Sequence, residues 1–120
     1  MHINIQARGF VLTDGLREHT KRRLQFAFGW ADDRLHQILV RLSDKNGPRG
    51  GEDKRCRIQI AFLGAPSVVI EDTEVDLYVA IDRAADRAGR SVARRLERQR
   101  DYRHGLLPVA TVDSIARSPN

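Results

Sequence analysis

The chain has 120 residues, with 21 Lys and Arg against 16 Asp and Glu and a formal charge of +5. That is enough for one compact domain and too little for two. The isoelectric point is near 10.1 and the mean hydropathy −0.47, and no apolar run approaches the roughly 18 residues of a membrane-spanning helix, so none is expected.

The amino terminus, MHINIQARGF, lacks the charged start and apolar core of roughly 7 to 15 residues that mark a secretory signal. A cytoplasmic location is therefore expected. The first residues alternate, with Ile3, Ile5 and Ala7 on one side and His2, Asn4, Gln6 and Arg8 on the other, which predicts a half-buried strand over 2–8. Thr13 or Asp14 can cap a helix running to about Phe28. Its apolar positions Leu16, Thr20, Leu24, Ala27 and Phe28 keep helical spacing, while Arg17, Lys21, Arg22 and Arg23 fall on its flanks and outer side. Trp30, just beyond, is expected to cover the end of the core.

Period two returns over 34–43 through Ile38, Val40 and Leu42, and again over 54–63 with Cys56, Ile58, Ile60 and Phe62 inward. The single cysteine, Cys56, cannot form an internal disulfide and reads as a core thiol. Between these strands, DKNGPRGGED is too long for a tight hairpin and too polar for the interior, so an exposed loop is expected over 44–53. It has no Gly-Lys-Ser/Thr ending and opens no helix, which argues against a nucleotide-binding loop. Arg49 within it suits an RNA contact or an ordinary flexible loop equally. A turn at 64–66 and a short strand over 67–71 then lead into the last helix.

Residues 73–100 carry two periodic patterns at once. Leu77, Ile81, Ala84, Ala85, Ala88, Val92 and Leu96 make one continuous apolar face. Arg83, Arg87, Arg90, Arg94 and Arg98 recur at similar spacing on roughly the opposite side, a row of guanidinium groups roughly 20 Å long. Such a row serves either as a solvated face or as a surface for a partner. Asp82 and Asp86 are candidates to pair with arginines a turn away. Thr73 is a suitable N-cap and Asp76 a suitable acid at the third helical position, with Glu71, Asp72 and Glu74 adding charge that favours the helix start. This explains the acids more simply than a metal site does. Gly89 costs about 1 kcal/mol against alanine inside a helix and reads as a tolerated defect. Tyr78 falls at the edge of the apolar face and reads as a core residue with its hydroxyl at the rim.

The order strand, helix, three strands, helix predicts an α+β fold, β-α-β-β-β-α. Its four-stranded mixed sheet would carry two helices side by side on one face. Residues 1–100 would form the domain, and 101–120 a short tail with one apolar patch at Leu106 and Leu107. The basic residues are overwhelmingly arginine, whose planar fork suits phosphate, so nucleic acid leads an anionic membrane surface as a partner. The four histidines lack zinc spacing and no nucleophile motif is present, so neither a cofactor nor an enzymatic reaction nor a small-molecule substrate is expected.

The opening INIQARGFVLTDGLREH, and above all DLYVAIDRAADRAGRSVARRL over 76–96, resemble the ribosome hibernation factors. This family of short hibernation-promoting factors and ribosome-associated inhibitors is also known as the sigma-54 modulation proteins. The resemblance covers 1–98, and its most specific part is Asp-Leu-Tyr-x-Ala-Ile-Asp from Asp76 to Asp82, followed by Asp86 and Arg87. It implies a non-enzymatic protein, monomeric off the ribosome. Such a protein binds the ribosomal RNA of the small subunit in the groove used by messenger and transfer RNA, and holds idle ribosomes out of translation under stress or in stationary phase. The RNA-binding positions carried over are Arg87, Arg90, Arg94 and Arg95, with Lys21 and Arg22 of the first helix beside them. Arg83 and Arg98 join these from the periodic row. The family's older name leaves a second reading, a protein-interaction module that modulates transcription. The glycine-rich loop, Gly89 and the short tail depart from the simplest pattern, and from a tail this short the second domain with which long members pair ribosomes is not expected.

Overall fold

The computed structural model describes residues 1–44 and 53–106, with side chains described as far as Gln99. The exposed loop expected over 44–53 falls almost wholly outside these residues, as do residues 107–120, whereas 101–106, expected to begin the tail, continue the last helix. The described chain forms β1 (His2–Arg8), α1 (Asp14–Phe28), β2 (Leu35–Asp44), β3 (Lys54–Phe62), β4 (Ala65–Glu74) and α2 (Leu77–Leu106), in that order. It divides into two compact units, Met1–Arg90 and Ser91–Asn120.

In the first unit the strands lie in chain order, β1-β2-β3-β4. β1 runs parallel to β2, with Ile5 beside Val40. A parallel neighbour requires a crossover, and α1 supplies it. β2 with β3 and β3 with β4 are antiparallel, pairing Val40 with Ile58 and Ile58 with Ile70. The last hairpin turns through Leu63 and Gly64 alone, Phe62 pairing with Ala65. Gly64 sits at φ +77°, a left-handed conformation that glycine adopts without a Cβ penalty.

The alternation decides which face is covered. Ile5, Ile38, Val40, Leu42, Cys56, Ile58, Ile60 and Phe62 are buried, and so are Leu16, Leu24 and Phe28 of α1 and Ala80, Ile81, Ala84, Ala85 and Ala88 of α2. The mixed four-stranded sheet with two helices is therefore the α+β fold that the sequence predicts. In the second unit, Val92 and Leu96 are the buried apolar residues of α2.

α1 has the predicted limits. Thr13 is extended at φ −81°, ψ 161°, and its hydroxyl accepts from the Leu16 amide, so one of the helix's orphan donors is satisfied. Thr20, fully buried, turns its hydroxyl back onto the Leu16 carbonyl at 2.8 Å, which is why a polar residue can hold a core position.

Four local expectations change. β4 extends to Glu74, so Thr73 lies in the sheet opposite Arg55 and does not cap α2. Asp76 does: its carboxylate accepts from the Tyr78 amide at 2.9 Å and its carbonyl from the Ala80 amide at 3.0 Å. Trp30 is 62% exposed, because α1 runs into a pair of 3₁₀ turns over Gly29–Arg34 in which Ala31 is the buried residue. Gly89 is no mere defect. A Cβ there would meet the Ala27 carbonyl oxygen at 3.0 Å and the Ala27 Cβ at 3.2 Å, so the glycine lets α2 approach α1 closely.

Cys56 is fully buried. Burial, aided by the nearby Asp72 carboxylate, pushes its thiol from 9.0 up to about 12. Because the thiolate is the reacting species, iodoacetamide near pH 8 should modify the native chain about a thousandfold more slowly than the urea-unfolded chain. Comparable rates, measured by mass spectrometry, would remove Cys56 from the core.

Candidate nucleic-acid interface

The arginines of α2 divide by what they touch. Arg83 and Arg87, in the first unit, do not simply face solvent. The Arg87 Nη1 donates to the Glu71 carbonyl at 2.7 Å and to Asp72 Oδ1 at 3.3 Å, and Arg83 Nε lies 3.6 Å from Glu74 Oε2. The acidic run before α2 is thus a set of ion-pair partners on β4 and not a helix cap. Both arginines are 46% to 65% exposed. Their acid partners are less exposed, Glu74 at 22% and Asp72 at 17%, so moving either arginine onto a phosphate leaves a largely buried carboxylate behind and costs more than at a fully exposed pair.

Arg90 is exposed and has no hydrogen-bond or ion-pair partner among the described residues. With Asp72, Arg83, Asp86 and Arg87 it lines an open pocket of about 170 Å³. Asp86 does not reach along α2 to neutralise Arg90. It accepts from Arg23 Nη2 at 2.8 Å, while Asp82 takes His19 Nε2 at 2.7 Å and lies 3.2 Å from Arg23 Nε. Asp82 and Asp86 therefore bind α1 and leave Arg90 without a carboxylate partner among the described residues. Tyr78, 43% exposed, lies edge to face with His19, ring centroids 4.8 Å apart. It belongs to this polar seam between the helices more than to the core.

On α1, Lys21 is half-buried and Arg22 exposed, both without a hydrogen-bond or ion-pair partner among the described residues. In the second unit Arg94 and Arg98 are exposed and equally unpartnered, whereas Arg95 is half-buried and engaged. Of the eight positions expected from sequence, five therefore present a free cation, two are tied to β4, and Arg95 already has a partner. Sequence reasoning missed a further basic group, Arg8, Arg41, Arg55 and Arg57. The polar half of each strand's alternation announces these residues singly, but only the strand register brings them together.

Chemically, unpaired guanidinium and ammonium groups on helices can hold phosphate oxygens. They offer no nucleophile and no matched acid and base. Among the described residues no group of His, Cys, Asp and Glu is placed to hold a metal ion, and no helix is long and apolar enough to cross a membrane.

No curated protein sequence matches the chain closely enough to count as a relative. Solved structures do resemble it. A ribosomal subunit interface protein from Coxiella burnetii superposes with a TM-score of 0.70 at 16% identity, over 81% of this chain and 99% of that one; at that identity the likeness shows the fold. The N-terminal domain of Protein Y from Thermus thermophilus superposes with a TM-score of 0.65 at 30% identity, over 78% of this chain and 98% of that one. A family model described as sigma 54 modulation protein / S30EA ribosomal protein matches residues 3–100, and the chain belongs to that family.

Proposed function

We propose that this protein is a ribosome-associated translation inhibitor, binding the ribosomal RNA of the small subunit in the groove used by messenger and transfer RNA and keeping ribosomes inactive under stress or in stationary phase. The observation that carries the reading is the set of unpartnered cations on the helices of a chain from this family: Arg90, Lys21 and Arg22 in the first unit, Arg94 and Arg98 in the second. The family's own description as S30EA ribosomal protein supports it. Charges spaced along a helix suit backbone phosphates, which position a protein without reading sequence. Arg83, Arg87 and Arg95 join the surface by exchanging their present partners for phosphate. The family match ends at residue 100, which supports 1–100 as the ribosome-binding part and 101–120 as an appended tail. The protein acts in the cytoplasm, as a monomer when off the ribosome, and by occupancy without catalysis.

Occlusion makes order of addition decisive. Added before initiation, the protein should inhibit translation in vitro. Added to ribosomes that already hold messenger and transfer RNA, it should inhibit at least about tenfold less at the same concentration, since the surface it needs is taken. Ribosomal RNA should stay intact on a gel in both cases. Equal inhibition in both orders would exclude the groove as the site, and cleaved RNA would exclude a purely occupying role. Gradient sedimentation with ribosomal particles separates this reading from modulation of transcription, which predicts no cosedimentation.

A further inference from the structure

The helix-free face of the sheet carries its own basic cluster. Arg41 of β2 stands directly opposite Arg57 of β3, which stands opposite Glu71 of β4. Two residues along, Arg8 of β1 pairs with Ser43 and Ser43 with Arg55. Together with Gly9 and Asp44 these residues line a cavity of about 400 Å³, within the usual range for ligand pockets.

The charges in this basin do not balance. Glu71 Oε2 lies 3.2 Å from Arg57 Nε and 3.7 Å from Arg55 Nη1, so one carboxylate serves two arginines. Asp44 is engaged by Lys54 Nζ at 3.3 Å. Arg8 and Arg41 have no partner among the described residues. Like charges directly across a strand pair are destabilising, yet Arg41 and Arg57 are held in that relation. Arg55 and Arg57 are only 27% and 31% exposed, and partial withdrawal from water strengthens any charge-assisted hydrogen bond they make. The backbone at the rim is fixed too. Gly9 sits at φ +90°, and a Cβ there would lie 2.8 Å from the Asp44 carbonyl oxygen. Only glycine lets the end of β1 lie this close to β2, and that approach keeps Arg8 at the edge of the basin.

We propose that this basin is a second anion site, which binds two neighbouring phosphate groups through the forks of Arg41 and Arg57 with Arg8 and Arg55 at the sides. Arginine forks match phosphate oxygens two at a time, and a diphosphate supplies enough charge to relieve the repulsion between Arg41 and Arg57. Two sources share this chemistry: a free diphosphate such as that of a nucleotide, and successive phosphates of an RNA strand. The site is independent of the helix arginines and of the ribosome reading.

The test is calorimetric titration of inorganic pyrophosphate into the full chain at constant ionic strength. One pyrophosphate should bind per chain, Arg41→Gln should weaken it by about tenfold or more, and Arg90→Gln should leave it unchanged. Arg41→Gln should also melt no lower than the parent without pyrophosphate, since it removes a like-charge contact, and it should still cosediment with ribosomes. Equal weakening by Arg90→Gln, or equal binding of pyrophosphate by the parent and Arg41→Gln, would overturn the proposal. Competition by a short single-stranded RNA assigns the source. Displacement of pyrophosphate identifies backbone phosphates as the ligand, and failure to displace identifies a free diphosphate, each confirming the site.

Discussion

Reversing Arg90, Arg94 and Arg98 to glutamate together should abolish cosedimentation with ribosomal particles while leaving the circular dichroism and the melting temperature close to those of the parent. None of the three has an intramolecular partner among the described residues, so the change removes no contact from the fold. Arg87 is left out deliberately, because glutamate there would set a carboxylate against Asp72 and the Glu71 carbonyl, which now hold the guanidinium at 3.3 and 2.7 Å, and would confuse lost binding with lost stability. If the parent contacts about five phosphates, its log-log salt slope is near −4, a loss of about 250-fold in affinity between 50 and 200 mM salt. Each arginine replaced should take about 0.9 from that slope. A folded triple variant that still travels with ribosomes would remove α2 from the interface.

The second large effect is expected at Gly89, and it is an effect on stability. Valine there would drive two further carbons into Ala27, whose carbonyl oxygen and Cβ already stand 3.0 and 3.2 Å from where a Cβ would lie. Overpacking of this kind costs about 2 to 3 kcal/mol, or a fall of roughly 10 °C in the melting temperature of a domain this size. Alanine is the informative control. It recovers about 1 kcal/mol of helix propensity and loses a similar amount if Ala27 must give way by a few tenths of an ångström, so it should be close to neutral. A valine variant as stable as the parent would mean that the helices can separate freely at this point.

The sequence announces what local periodicity controls. β1, α1 and β3 lie within a residue of where alternation, helical spacing and the Thr13 cap put them. It misplaces what depends on a partner distant in the chain. Glu71, Asp72, Thr73 and Glu74 look like helix-start signals because acids and threonine favour that position. The same four residues end β4, held there by pairing in turn with Arg57, Cys56, Arg55 and Lys54 on β3, and no short window of sequence contains both strands. The helix arginines were legible as a row but not as a set with different partners, since the acids that engage Arg83 and Arg87 lie on another element. Helix propensity alone marks Gly89 as a defect, because propensity knows nothing of Ala27. The basin around Arg41 needs the register of four strands before its members become neighbours.

The acids of β4 have a consequence of another kind. β4 is an outer strand of the sheet, and an outer strand offers unpaired backbone donors and acceptors to any other strand that reaches it. Glu71, Asp72 and Glu74 crowd negative charge onto that border. A second copy of the chain laying its own β4 alongside in parallel, each residue beside its own counterpart, would bring carboxylates against carboxylates. The run that engages arginine within one molecule thereby repels the same strand of another, and discourages the sheet from growing from chain to chain.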